Sequence, residues 1–280
     1  MKPSLLGKAL FVLPVSLFIG GALFLWSIIL AKFLGLLDGE VLKFLSWEWD
    51  PSSQNFGIFP MMISSLSLAS LATVFAFSWS FGLAVFLQGV GPRFLRNVVA
   101  FLIRAMASIP SIIFGLAGAL YVVPLIRQYS HGSGYSLLAT ICTLSFFLLP
   151  FQTKLCSSAF AAAEERIGIS ADVLGFTKLQ KIFWIVVPEA KIALYATLAM
   201  GFCRSLGDTM IALLVSGNSP QVPGSLFAPV RVLTAHIALV ASTDSFSPIF
   251  DSLFVAVAFL LSFTVGTTFL SGRILQRQRV

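Results

Sequence analysis

Six stretches of this chain stay apolar long enough to cross a lipid bilayer, and that feature decides what the chain can fold into. They lie near residues 9–33, 57–90, 97–125, 134–152, 190–216 and 248–271. A helix needs roughly 20 apolar residues to span a hydrocarbon core about 30 Å thick. Every backbone N–H and C=O in lipid must be satisfied within the protein, so these runs predict an all-α integral membrane protein with six transmembrane helices. Composition agrees: 58% of the 280 residues are hydrophobic and only 10% are charged. Ordinary soluble domains carry roughly 25% charge, which excludes a soluble enzyme, a nucleic-acid-binding domain and a disordered tail. The net charge of +7 then reads as the lysine and arginine bias that orients membrane proteins, with no nucleic acid as partner.

The first run follows Lys2 and Lys8, exceeds the h-region of a signal peptide and is not followed by a clear A-x-A site. It is expected to remain as the first span. Of the 18 Lys and Arg residues, twelve fall in segments that share a side with the N-terminus. Lys32, Lys43, Arg127 and Arg231 fall on the other side, and Arg104 and Arg204 fall inside spans. This bias predicts both termini in the cytoplasm. Asp38, Glu40, Glu48 and Asp50 then occupy the first outer loop, where Trp47 and Trp49 suit a membrane interface.

Catalytic and metal chemistry find no support. Cys142, Cys156 and Cys203 are odd in number and lack CxxC spacing, and His131 and His236 form no HExxH. Gly7-Lys8 is followed by Ala9, so no nucleotide-binding P-loop is present. No cofactor is expected. If the function needs ATP, another chain must hydrolyse it.

Two places depart from the alternation of apolar span and short loop. The segment 153–189 is the most charged part of the chain yet is rich in helix formers. Around Ser170 to Val187, apolar Val173, Leu174, Leu179, Ile182, Phe183 and Val186 alternate with Lys178, Gln180 and Lys181 at helical spacing. Gly175 predicts a turn between two short helices, and Pro188 marks the start of the next span. Two readings stand: a helix lying on membrane lipid at the inner leaflet, or a helix docking into a groove of a cytoplasmic partner.

The second departure is Arg204 with Asp208 in the fifth span, four residues apart on one helix face. Each charge costs roughly 2.5–3.5 kcal/mol at a bilayer centre. An intrahelical ion pair and a charged element beside a polar pathway both account for them. Arg104 falls about 12 Å into the third span, within reach of the inner surface by snorkelling. Ser108-Ile109-Pro110-Ser111 breaks that span, with Gly115 and Gly118 beyond it. Such small and hydroxylated residues serve close helix packing or line a polar cavity.

These motifs resemble a known family. Ile169-Ser170-Ala171-x3-Gly175-x9-Ile185-x-Val187-Pro188 is similar to the EAA-x3-G-x9-I-x-LP signature of bacterial ABC-importer permeases, with Ile169 in place of glutamate and Ser170 in place of alanine. Arg204-Ser205-Leu206-Gly207-Asp208-Thr209-Met210, then Gly217-Asn218-Ser219-Pro220 and Ser225-Leu226-Phe227-Ala228-Pro229, resembles the PstC-type phosphate permeases, with Asp208 for glutamate and Ser205 for alanine. Ser108 to Gly115, Trp49-x-Pro51 and Phe56 to Pro60 extend the likeness, which covers most of residues 47–230.

The resemblance implies one permease domain over 1–280, with a core at 57–271 and a cytoplasmic coupling loop at 153–189. It implies a multi-pass protein of the bacterial inner membrane that imports phosphate and has no catalytic residues of its own. The implied partners are a second homologous permease, a cytoplasmic ATPase dimer and a periplasmic phosphate-binding protein. It places Arg204, Asp208, Ser111 and Thr209 along the substrate pathway. It places Ile169, Ser170, Ala171, Gly175, Phe176 and Pro188 at the ATPase. The residues leave open a permease for sulfate, molybdate or tungstate, and an ion-coupled secondary transporter.

Overall fold

The computed structural model describes residues 5–36, 41–130, 132–243 and 248–276. Lys2, Asp38, Glu40, His131, Arg277 and Arg279 lie outside the described residues. Among those described, six helical stretches are long and apolar enough to cross a membrane: Pro14–Lys32, Phe59–Val90, Ser111–Tyr129, Leu137–Ile167, Lys178–Leu206 and Ile249–Arg273.

The chain runs through α1 (Leu5–Leu36) and a single turn, α2 (Val41–Phe44). A two-stranded antiparallel hairpin follows, β1 (Trp49–Asp50) against β2 (Asn55–Phe56). Asp50 turns this hairpin by accepting from the Ser52 N–H at 3.1 Å and from the Ser52 and Ser53 hydroxyls at 2.6 and 2.8 Å. Those hydrogen bonds hold its carboxyl below the usual range. The second span, α3 (Phe59–Val85), ends in a wider π-helical turn, Phe86–Val90.

The centre of the fold is α3 against α7 (Leu137–Val173) and α9 (Val187–Leu206). Ala69, Ala72, Thr73, Ala76, Ser80 and Ala84 form one buried face of α3, and small residues let membrane helices approach closely. Three side chains tie α3 and its terminal turn to α7. The Ser145 hydroxyl donates to the Ala72 carbonyl at 3.1 Å, Ser80 to Leu149 at 3.0 Å, and the Gln88 amide to Ser157 at 3.3 Å. Toward the other end of these helices Phe160 is fully buried, edge-on to Phe81 at 5.6 Å.

Four boundaries differ from the sequence expectation, each for a local reason. The third run does not begin its span at 97. Residues 93–107 form a separate helix, α4 (Arg93–Ala107), with no buried residue. Pro110, without an N–H, stands extended between it and α5 (Ser111–Ala117), and the span continues through a π-helical turn to α6 (Val123–Tyr129). Arg104 therefore lies in the exposed last turn of α4, not inside a span.

The fourth run does not stop at Pro150. α7 continues through it, since neighbouring groups in a membrane bundle accommodate a helical proline. Segment 153–189 is accordingly not a loop of two short helices. It is the paired ends of α7 and the next span, turning over Leu174 to Thr177. That span starts at α8 (Lys178–Lys181) and passes a π-helical turn, Ile182–Val186, into α9.

The fifth run breaks after Leu206. A short helix, α10 (Met210–Val215), begins after three intervening residues, followed by α11 (Leu233–Val240) and α12 (Pro248–Gln276).

Candidate functional site

The α9–α10 break brings together the residues expected along a pathway. Arg204 sits in the last turn of α9, exposed on this chain. Its guanidinium carbon lies 4.8 Å from the centroid of the Phe147 ring and 4.9 Å from that of Phe151. Those two rings are one helical turn apart on α7, and both present their faces to the cation. Asp208 turns elsewhere: its Oδ2 accepts the Ile211 N–H at 2.9 Å, and Ser111 faces the carboxylate.

Of the two readings the sequence left open, the intrahelical Arg204–Asp208 ion pair is therefore not formed. Ion pairs form elsewhere, Lys181 with Glu164 at 3.0 Å and Arg166 with Glu189 at 3.6 Å. The reason is local: the helix ends between the two residues, and the short Asp side chain bonds the backbone of the next helix instead. Thr209 is the half-buried cap residue of α10 and makes no side-chain capping bond. The Thr234 hydroxyl fixes the break by donating to the Asp208 carbonyl at 3.0 Å.

Around the break the chain is tightly built. A Cβ on Gly115 would stand 3.2 Å from the Met210 carbonyl and 3.3 Å from the Ile211 Cα, so α5 approaches α10 only through glycine. Gly217 and Asn218 adopt positive φ of 81° and 53°, and the Asn218 amide donates to the Leu213 carbonyl at 2.9 Å. The Leu226 and Ala228 carbonyls accept from the Leu138 and Leu137 N–H groups at 2.8 and 3.0 Å. The Gly217-Asn218-Ser219-Pro220 and Ser225 to Pro229 motifs thus close the ends of α10 and α7.

Sequence reasoning missed two features here. Phe147 and Phe151 have helical spacing, but among 28 phenylalanines that spacing does not stand out. Gln152 is fully buried with both amide atoms unpartnered, and the Thr73 and Ser205 hydroxyls are likewise buried and unpartnered. A Cβ on Gly201 would collide with the Gln152 amide nitrogen, which lies within hard contact, and meet Thr73 at 3.3 Å.

The second group of expected residues lies at the far end of the same helices. Ile169, Ser170 and Ala171 are in the last turns of α7. Gly175 makes the turn with φ +73°, a conformation glycine adopts without strain. Thr177 opens the next helix with a reciprocal capping box: its hydroxyl accepts from the Gln180 N–H at 3.4 Å, and the Gln180 side chain accepts from the Thr177 N–H at 3.0 Å. Pro188 stands in the first turn of α9. Val173 is 82% exposed and Leu174 73%, with Phe176 and Leu179 also exposed, so the tip presents an apolar surface flanked by lysines.

No family model matches the chain. It is 30% identical over 206 residues to the probable ABC transporter permease protein YqgH of Bacillus subtilis, covering 73% of this chain and 67% of that protein. It is 31% identical over 215 residues to the phosphate transport system permease protein PstC of Xylella fastidiosa, covering 70% and 66%. Among solved structures, an inward-facing MetNI methionine ABC transporter superposes with a TM-score of 0.63 at 16% identity, covering 82% of this chain and 99% of that one. At that identity the likeness concerns the fold.

Proposed function

The chain belongs to the family of ABC transporter permeases that includes the PstC phosphate-transport permeases, and on that premise we propose that it forms the membrane pathway of an ATP-driven phosphate importer. The observation that supports this most directly is Arg204. Its guanidinium is held between two rings with no carboxylate in ion-pair contact among the described residues. Such a cation retains its charge and its planar donor set for an oxyanion, a geometry suited to phosphate. Ser111 and Thr209 supply hydroxyls to the same break, and Asp208 fixes the break itself through Ile211.

The turn carrying Ile169, Ser170, Ala171, Gly175 and Phe176, with Pro188 behind it, is the surface for a cytoplasmic ATPase dimer. Its exposed apolar tip suits a groove better than water. This chain has no nucleotide-binding loop, so ATP hydrolysis belongs to that partner. A second, homologous permease completes the pathway opposite Arg204, and a periplasmic phosphate-binding protein delivers substrate. Both termini face the cytoplasm of a bacterial inner membrane, as the lysine and arginine bias supports.

Deleting the chain from its cell should abolish high-affinity uptake of radiolabelled phosphate, and re-expression should restore it. A reporter fused after Val280 should report cytoplasm. Unchanged phosphate uptake in the deletion would sink the substrate reading.

A further inference from the structure

Helix α4 has a composition that suits neither a span nor a soluble helix. Arg93, Asn97 and Arg104 fall on one narrow sector, at i, i+4 and i+11. A second sector carries Phe94, Val98, Phe101 and Leu102, exposed by 76%, 38%, 63% and 52%. The third sector, with Val99, Ile103 and Met106, is half-buried, and α4 packs on α7 and on the π-helical turn 86–90. One side thus rests on the protein, one is oily and one is cationic. A helix so divided is stable where hydrocarbon meets headgroups.

The N-terminal end of α4 adds a specific feature. Arg96 Nη1 and Lys178 Nζ converge on Gly89, at 3.1 and 3.8 Å from where its Cβ would stand. Gly89 itself has φ +101°. Neither cation, nor Arg93, has an ion-pair partner among the described residues, where Lys181 and Arg166 hold the nearby carboxylates of Glu164 and Glu189. Two cations brought together without a carboxylate leave their charge for an external anion. The second span is 32 residues long, about 48 Å as a helix. That exceeds the hydrocarbon core and carries Gly89 to headgroup depth.

We propose that α4 lies in the membrane interface and that Arg93, Arg96 and Lys178 bind the phosphate of an anionic phospholipid headgroup. The oily sector enters the acyl region beside that lipid. The leaflet is the cytoplasmic one, which rests on the orientation given under Proposed function. Lys178 opens the helix that follows the Gly175 turn, so the lipid sits beside the surface assigned to the ATPase.

The test is native mass spectrometry of the purified full chain in detergent, titrated with phosphatidylglycerol or phosphatidylcholine. Phosphatidylglycerol should be retained in preference to phosphatidylcholine. The triple variant Arg93→Gln/Arg96→Gln/Lys178→Gln should bind it roughly a hundredfold more weakly. Arg93→Lys/Arg96→Lys should keep the binding, which separates loss of charge from loss of fold. Inorganic phosphate should not displace the lipid. Equal retention of both lipids, undiminished binding by the triple variant, or displacement by inorganic phosphate would each overturn the proposal. Retention in detergent is blind to leaflet, so a wrong orientation would show only in the reporter fusion.

Discussion

Arg204 and Asp208 stand four residues apart and do not pair: the guanidinium lies between the Phe147 and Phe151 rings, while the carboxylate accepts the Ile211 N–H at 2.9 Å. Neither charge is the contact partner of the other, although Arg204 still acts on the Asp208 carboxylate through space. Arg204→Ala should assemble normally, losing only a cation–π contribution on the order of 0.5–1 kcal/mol. Asp208→Ala should lower stability by about 1 kcal/mol through the lost capping bond, and Asp208→Asn, which keeps an acceptor, should stay near the parent. Thermal unfolding in detergent checks the ordering. A large loss on Arg204→Ala that Asp208→Asn relieves would restore the ion pair.

The contact of Gly201 with Gln152 makes a second test. Gly201→Ala should destabilise the protein by roughly 1–3 kcal/mol, because the added carbon has no room beside a fully buried side chain. Shortening the neighbour in Gly201→Ala/Gln152→Ala should recover much of that loss. The double-mutant cycle, read by unfolding, should give strong coupling; simple additivity would mean that the two groups do not touch.

At the Gly175 turn there is free space but a left-handed backbone: nothing lies within 4 Å of a new Cβ, while φ is +73°. Gly175→Val should cost on the order of 1–2 kcal/mol locally and reduce co-purification of the ATPase. Gly175→Asn, which tolerates that conformation, should be milder. Equal ATPase recovery with all three residues would show that the turn geometry is not read by the partner.

His236 is fully buried in α11, outside the membrane-crossing stretches, with Trp49 edge-on at 4.6 Å and Nε2 3.0 Å from the Ser252 hydroxyl. Ser252 donates to the Ile249 carbonyl at 2.6 Å, which assigns Nε2–H as the donor to the Ser252 oxygen. Burial first, and the Arg231 charge second, lower its pKa from 6.5 to about 3. The unfolded chain takes up this proton first as pH falls. The stabilisation is therefore complete above about pH 6.5 and is lost progressively toward pH 3. The melting temperature should drop between pH 7 and 5, and His236→Gln should flatten that dependence. Parallel curves for parent and variant would contradict this.

How far these features were legible in the sequence depends on the range of the forces involved. The six crossings and the Gly175 turn follow from run length and from one backbone preference, both local. Pro150 misled because its helix-breaking effect in water is offset in a bundle, where α7 runs on through it beside α3. Arg104 misled because hydropathy averages over a helix face and conceals the sector that separates α4 from the following span. The spacing of Arg204 and Asp208 left an ion pair open because spacing within one helix says nothing once the helix stops. The rings that hold Arg204 come from another span, and no local pattern marks such a partner.

We propose that phosphate crosses this chain along a route that uses Arg204. The direct measurement is ATP-driven uptake of radiolabelled phosphate by vesicles holding the assembled complex, with unlabelled sulfate as competitor, for the parent chain and Arg204→Gln at equal amounts of complex. Excess sulfate should leave parent uptake intact, and uptake by Arg204→Gln should fall at least tenfold, in line with the loss of one charged hydrogen bond of about 1.5–3 kcal/mol. Normal uptake by the assembled variant would remove Arg204 from the route, and sulfate carried in place of phosphate would contradict the substrate.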